Sequence, residues 1–362
     1  TPAEAEPPPD PAKPAKKERF ELTFAGDIIF GRYREDGFDP IPEPEGFDPF
    51  AEIKPKLDAD LTVANLETPV IEELAEDSPI GSKYRFGASR EHAKLLVSAG
   101  IDVVSLANNH FYDLRQEGQR ESPRILKELG IVPIGASREQ EPIFFVEEVA
   151  RDGWKVGFLG VTARRNAPQF EDAPVLPFLK TTEMDDVLGP LLTEAREEYD
   201  VLIVFVHWGD EYAEEPAGYQ RKVAHSLIDS GADLVVGHHP HVLQGIERYG
   251  DGAIAYSMGN FLFEHTGAIP RLTGVLRTAW RAPGSNQGQP CLDEVVFHPA
   301  YMKRVPYPHP APATGGMGKQ VRNRVMTQAE GLGSRFEAIE GSEDLRMVGV
   351  GCGDAGSVAP ES

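Results

Sequence analysis

Three of the ten histidines crowd into four positions, in Gly237-His238-His239-Pro240-His241. A neutral imidazole is a ready ligand for a divalent metal, and this density is hard to assign to packing alone. The stretch follows the apolar run Leu234-Val235-Val236, so it reads as a strand that ends in a polar loop. Other chemistry-bearing residues stand in the same relation to an apolar run. Asp27 follows Leu22-Thr23-Phe24-Ala25-Gly26, and Asn65 and Glu67 follow Leu61-Thr62-Val63-Ala64. Asn109 and His110 follow Val103-Val104-Ser105-Leu106, and His207 follows Val201-Leu202-Ile203-Val204-Phe205-Val206.

Carboxylates, imidazoles and an amide oxygen together suit borderline to hard divalent ions such as Zn, Mn or Fe. A carboxylate bridges two ions readily, and Glu67 is the candidate for that role. Two ions about 3.5–4 Å apart clamp a phosphoryl oxygen and activate water for in-line attack. His110, beside the ligand candidate Asn109, is a candidate general acid toward the leaving group. Period-two spacing places His239 and His241 on one side of an extended segment and turns His238 away, into a supporting role. Each element taken singly also has an ordinary reading. Gly26-Asp27 makes a turn, Asn65 and Asn108-Asn109 make polar caps, and His207 is a hydrogen-bonded core residue. His92 and His225 fall on helices, and His265, His298 and His309 lack ligand-like neighbours, so these rank lower.

The elements that must position these residues alternate. Strands are expected near 21–25, 59–64, 101–106, 131–134, 201–206, 234–236 and 253–256. Helices are expected over 89–99, 117–129, 185–199 and 218–229, the first two closed by Gly100 and Gly130. Residues 142–150 and 154–161 form a hairpin across Arg151-Asp152-Gly153. The segment 47–57 is weakly helical. Alternation of this kind is α/β organisation, in which residues just past the strand ends line the site. Strands at 272–279 and 294–303 lack intervening helices, so an antiparallel finish and a layered sandwich are expected. Residues 306–318 read as loop, 321–336 as a last helix and 341–362 as loose chain.

Composition bounds the partners. The 362 residues are 40% hydrophobic and 26% charged, a globular mixture with a formal net charge of −22. That charge argues against nucleic acid and anionic lipid surfaces, which require a basic footprint. It leaves room for an anionic substrate at a metal, whose local charge a residue count omits. Arg164-Arg165 and Lys83-Tyr84-Arg85 are the main basic spots, read either as solvated surface or as contacts to such a substrate. No apolar run is long enough to cross a membrane. Gly-x-Ser-x-Gly, a P-loop and a dinucleotide-binding glycine pattern are all absent. Cys291 and Cys352 lie apart from the histidines, and whether they pair is left open. Residues 1–19 are rich in proline and read as a disordered tether, of the kind that follows an export signal or lipid anchor.

Six stretches in order resemble the CapA family of bacterial capsule-synthesis, or poly-gamma-glutamate synthesis, proteins. They are Phe24-Ala25-Gly26-Asp27, Asn65-Leu66-Glu67-Thr68-Pro69, Ser105-Leu106-Ala107-Asn108-Asn109-His110, His207-Trp208-Gly209-Asp210-Glu211-Tyr212, the histidine stretch, and Tyr256-Ser257-Met258-Gly259-Asn260-Phe261. The resemblance implies a calcineurin-like metallophosphoesterase fold, a four-layer α/β/β/α sandwich over residues 20–310, with 311–362 as a C-terminal helix and tail. It implies that Asp27, Glu67 and His241 hold one metal, and that Glu67, Asn109, His207 and His239 hold the other. His110 would be the acid, with Asn65, His238, Glu211 and Asn260 binding substrate or supporting the ligands. Two departures stand out. Ile28-Ile29 follows Asp27 where phosphoesterases have Asp-x-His, and Glu67 stands where the superfamily usually has Asp. The implied function is metal-dependent hydrolysis of a phosphoester or polymer linkage outside the cytoplasm. Its partners would be an anionic polymer or phosphorylated precursor and a capsule-synthesis membrane complex. The alternative is a non-catalytic component of a polymer synthesis or export complex with a vestigial site.

Overall fold

Every residue of the strand Val201–His207 is buried, which is what an unbroken apolar run predicts for a strand covered on both faces. Its side chains sort by parity. Val201, Ile203 and Phe205 join a core shared with Phe20, Leu22, Phe24 and Val63. Leu202, Val204 and Val206 join a second core with Leu188, Leu192, Val223 and Leu227 of two helices. On the other side, Ala64, Leu66 and Val104 pack with Leu95, Leu96, Ile125 and Leu126 of two more helices. Three apolar layers therefore separate four structural ones, helix on sheet on sheet on helix: the α/β/β/α sandwich expected from the sequence. Burying each such side chain contributes about 1.5–3 kcal/mol against leaving it in water.

The computed structural model describes residues 16–34, 37–40, 46–74, 85–136, 143–166, 174–283 and 288–352. One sheet has ten strands. Arg19–Ile28, Leu61–Leu66, Val103–Ser105 and Val132–Ile134 run parallel, and Leu272–Arg281 and Cys291–Lys303 continue antiparallel from the first of them. The other sheet has six strands, with Trp154–Thr162, Val201–His207, Leu234–His238 and Gly252–Ala255 parallel at its centre. The helices are Arg90–Ala99, Arg115–Glu128, Met184–Ala195, Gly218–Asp229 and Gly315–Glu330, with a single turn at Lys54–Leu57.

Several expectations are corrected. The weak helical pattern over 47–57 yields only the turn Lys54–Leu57, whose second residue, Pro55, has its φ fixed by its ring and lacks a donor that the first turn would leave unpaired. Residues 306–318 are not all loop. His309–Pro312 is a strand that pairs only with Cys291–Lys303, and an edge position tolerates Pro310 and Pro312 because the missing donors face away from the ladder. The last helix runs over Gly315–Glu330, earlier than 321–336, and Phe336 belongs to the strand Phe336–Ala338. The tail is not loose throughout. Leu345–Met347 pairs with Cys291–Lys303, and Cys352 forms a disulfide with Cys291, their Cα atoms 5.7 Å apart. Residues 311–352 thus extend the main sheet. At the other end the chain is in place by Lys17, whose amide donates to the Asp152 carbonyl. The rest of the expected tether, residues 1–15, lies outside the described residues, as do Lys83 and Tyr84.

Candidate metal centre

Parallel pairing brings residues from distant sequence side by side. Asp27 is in register with Asn65 on one neighbouring strand and with Asn260 on the other. His207 is in register with His238 in the second sheet. The register of Arg19–Ile28 shifts between Phe24 and Asp27, a bulge that re-aims the side chain at the strand end. Gly26 is required there: a Cβ would stand 2.0 Å from the Gly259 carbonyl oxygen. That close approach lets the Asp27 amide donate to Gly259 at 2.8 Å.

Asp27 is wholly buried. Its Oδ1 accepts from Asn65 Nδ2 at 2.8 Å and faces His238 Nδ1 at 3.0 Å, while Oδ2 lies 3.2 Å from His241 Nδ1. Burial pushes this carboxyl up, but His238 and His241 outweigh it and hold the group well below the usual carboxylate range. His238 and His241 thus face the two oxygens of the same carboxylate. His239 and His241 reach the site differently from the extended geometry expected of them. The strand stops at His238, and the backbone then takes φ of +95° at His239 and +56° at His241. Left-handed conformations cost about 1–3 kcal/mol at a non-glycine residue and persist only where surrounding contacts impose them. Asn260 supplies one such contact. Its Oδ1 lies 2.9 Å from His241 Nδ1 and its Nδ2 donates to the His241 carbonyl at 3.0 Å.

Glu67 sits where the two sheets meet. Its Oε1 is buried without a hydrogen-bond partner among the described residues, 3.5 Å from His207 Nε2 and 3.9 Å from both His241 Nε2 and His110 Nε2. Burial first, then the charges of Asp27, Glu211 and Asp113, push its carboxyl well above the usual range. Burial and neighbouring imidazoles also lower His207 well below the ordinary value and His239 to about 3. Neutral imidazoles are the form that ligates metal. Two groups of residues present ligand atoms within 4.8 Å of one another: Asp27, Glu67 and His241, and Glu67, His207 and His239. Asn109 Oδ1 adjoins the second group, 2.7 Å from His207 Nε2.

The family is now legible from the chain as a whole. The profile of the family described as "Bacterial capsule synthesis protein PGA_cap" matches residues 21–265. The chain belongs to that family. Among curated relatives it is 28% identical over 351 residues to the capsule biosynthesis protein CapA of Bacillus anthracis, covering 93% of this chain and 80% of that protein. It is 30% identical over 251 residues to the PGA biosynthesis protein CapA of Bacillus subtilis (strain 168), covering 68% of this chain and 63% of that protein. Among solved structures, a hypothetical protein from Thermus thermophilus aligns with a TM-score of 0.39 and 18% identity, over 81% of this chain and 97% of that one. The 5'-nucleotidase from Candida albicans aligns with a TM-score of 0.42 and 11% identity, over 73% and 48%.

In this capsule-synthesis family member a cavity of about 520 Å³ opens over the ligand groups, with His110, Asn109, His241 and the exposed Glu211 on its wall. Sequence reading missed several residues here. Asp113 Oδ2 lies 2.7 Å from His110 Nδ1 and accepts from the Phe86 amide at 2.8 Å, while the Phe86 ring packs 4.2 Å from the His110 ring. The only signal was the three-residue spacing from His110 to Asp113. Asn108 donates to the Leu66 carbonyl at 2.9 Å and accepts from the His110 amide at 3.1 Å, tying that loop to the Glu67 strand. His265, ranked low, also lines the cavity with Tyr212 and Phe263. His92, His225 and His298 do lie elsewhere, against Ser89, Glu247 and Asp344. Arg164 is engaged by the Gly209 carbonyl and Asp210, and Arg165 lies over the Phe178 ring.

Proposed function

We propose that this protein is a metal-dependent hydrolase that acts on a phosphoester, or a related linkage, of an anionic envelope polymer or its phosphorylated precursor. The observation that carries this reading is Glu67, which both ligand groups share and whose buried Oε1 has no hydrogen-bond donor among the described residues. An orphaned carboxylate oxygen among neutral imidazoles fits a divalent ion, Mn, Fe or Zn, better than it fits a structural role. Bound there, one or two ions would supply Lewis acidity toward a phosphoryl oxygen and an acidified water. Asp27, Glu67 and His241 would hold one; Glu67, Asn109, His207 and His239 the other. Asn65, His238 and Asn260 orient those ligands, and Glu211 faces the substrate. His110, with Nδ1 against Asp113, presents Nε2 toward Glu67 and the cavity. In its protonated form that nitrogen hands a proton to the leaving oxygen.

The names of the Bacillus relatives support a place in capsule or poly-gamma-glutamate synthesis. No helix among the described residues is long and apolar enough to cross a membrane. The Cys291–Cys352 disulfide supports an oxidising, extracytoplasmic setting. The test is metal analysis of protein purified without added metal, followed by turnover of bis(p-nitrophenyl) phosphate with added Mn²⁺. Bound metal with turnover is expected; no metal and no turnover overturns the reading. A second reading, a non-catalytic component of a polymer synthesis or export complex, is favoured by Ile29, which stands where phosphoesterases place a histidine. It predicts bound metal without turnover of any phosphoester tested.

A further inference from the structure

The histidine loop must be held in a conformation it does not favour, and strand contacts brace only one side of it. There, Ser257 Oγ donates to the Val242 carbonyl at 2.8 Å and the Gln244 amide donates to the Ser257 carbonyl at 3.0 Å. The other side rests on the C-terminal helix Gly315–Glu330, which lies past the last residue matched by the family profile. Val321, Val325 and Ala329, spaced by four, bury one stripe of that helix in the core that also contains Leu243 and Ile246. Arg324 and Gln328, offset by one residue, then reach the loop. Three donors converge on the Leu243 carbonyl: Arg324 Nη2 at 2.8 Å, Arg324 Nε at 3.0 Å and Gln328 Nε2 at 3.3 Å.

The same two side chains reach a second loop. Arg324 Nη1 donates to Glu214 Oε2 at 2.7 Å and Gln328 Nε2 donates to the Glu214 carbonyl at 2.6 Å. Gln244 Nε2 crosses between the loops to the carbonyls of Ala213 at 2.8 Å and Glu215 at 3.2 Å. The Tyr212 amide closes the connection on the Pro240 carbonyl at 2.8 Å, between His239 and His241. Gly245 shows how closely the helix end is seated, since a Cβ there would stand 2.4 Å from Leu332 Cδ1 and 3.0 Å from the Gln328 carbonyl oxygen.

We propose that Arg324 and Gln328 are positioning residues that clamp the histidine loop and the cavity-wall loop in one arrangement, so that the C-terminal helix sets the geometry with which His239 and His241 meet a metal. This rests on the proposed role of those histidines as ligands. A guanidinium suits the task because its planar fork delivers two parallel donors to one carbonyl while a third reaches Glu214, which a lysine ammonium on a flexible stem does not reproduce. Loss of a residue that orients metal ligands typically weakens binding about 10–100-fold.

The test uses the full chain, with Arg324→Ala, Arg324→Lys and Arg322→Ala. Arg322 lies on the same helix but pairs with Glu343, away from the loop. Amide hydrogen exchange by mass spectrometry follows residues 239–245 and 209–215 in metal-free protein, and calorimetry follows Mn²⁺ binding. Arg324→Ala is expected to speed exchange in both segments and to weaken Mn²⁺ at least about tenfold. Arg324→Lys should recover part of both effects, and Arg322→Ala should show neither. Equal behaviour of Arg324→Ala and Arg322→Ala overturns the clamp. If Arg324→Ala does not fold, Gln328→Ala replaces it: a smaller shift in the same direction supports the clamp, and wild-type exchange overturns it. Should the wild-type protein bind no Mn²⁺, the proposed metal chemistry fails by itself, and the exchange measurement still decides whether the helix holds the loop.

Discussion

The two ligand groups share Glu67 and differ in almost everything else. Asp27 and His241 are already engaged by the protein: Oδ1 of Asp27 by Asn65 and His238, Nδ1 of His241 by Asn260. Asp27 Oδ2 is left without a hydrogen bond. In the other group, among the described residues, His207 Nδ1 and His239 Nδ1 are likewise buried without hydrogen bonds, while His207 Nε2 faces Asn109 Oδ1. In the first group, His241 together with His238 outside it holds the Asp27 carboxyl well below the usual carboxylate range. The second carries neutral imidazoles, since burial disfavours their charged form. On the proposed reading, harder oxygen donors and softer nitrogen donors would meet at one carboxylate and give two ions different affinities rather than a symmetric pair. On that reading Ile29 would sharpen the contrast, leaving the first group with three protein ligands against four.

The largest effect is expected where the groups overlap. Glu67→Gln keeps the shape but removes the shared charge, so metal content should fall to near background for both ions, by more than the roughly 10–100-fold that follows loss of a supporting residue. Elemental analysis that finds wild-type metal in this variant would end the bridging assignment. Next come the two halves separately. His239→Ala should remove one ion and leave the Asp27 group occupied, while His241→Ala should do the converse. His92→Ala, on a helix away from the site, should do neither. Equal losses from His239→Ala and His92→Ala would erase the ranking of the histidines. A smaller change in binding, but a large one in rate, is expected from His110→Ala. Turnover should fall on the order of 10²–10⁴-fold with metal content unchanged. Metal loss in this variant would move His110 into the ligand set.

How far the sequence reaches follows from the same contrast. Residues carried on strand ends were legible, because an apolar run predicts where a strand stops and which side chains lie just beyond it. That is how Asp27, Glu67, Asn109 and His207 were singled out, and how the unbroken apolar run over 201–206 foretold two covered faces. The strand expected over 234–236 runs on to His238, which sequence reading had placed in the loop. What turns decide was not legible. His239 and His241 share a site through two left-handed residues, not through strand alternation. Asp113 meets His110 across a turn, and an aspartate three residues from a histidine is too common to single out. The C-terminal region was misread for a further reason. Prolines at 310 and 312 and glycines at 315, 316 and 318 argue locally for loop, and only pairing with Cys291–Lys303 and packing of Val321 and Val325 override them.

The smallest effect sharpens the boundary between binding metal and using it. Asp113 touches no ligand atom of either group; its Oδ2 is shared between His110 Nδ1 and the Phe86 amide. Asp113→Asn preserves size and a hydrogen bond to one of these partners while removing the second carboxylate oxygen. Metal content and the order of loss between the two groups should stay as in the wild type, and turnover should fall by about tenfold, less than for His110→Ala, because the imidazole itself remains. Turnover at the wild-type rate would show that the contact from Asp113 is dispensable for the ring. A variant that instead lost metal would show that the cavity wall and the second ligand group are one unit.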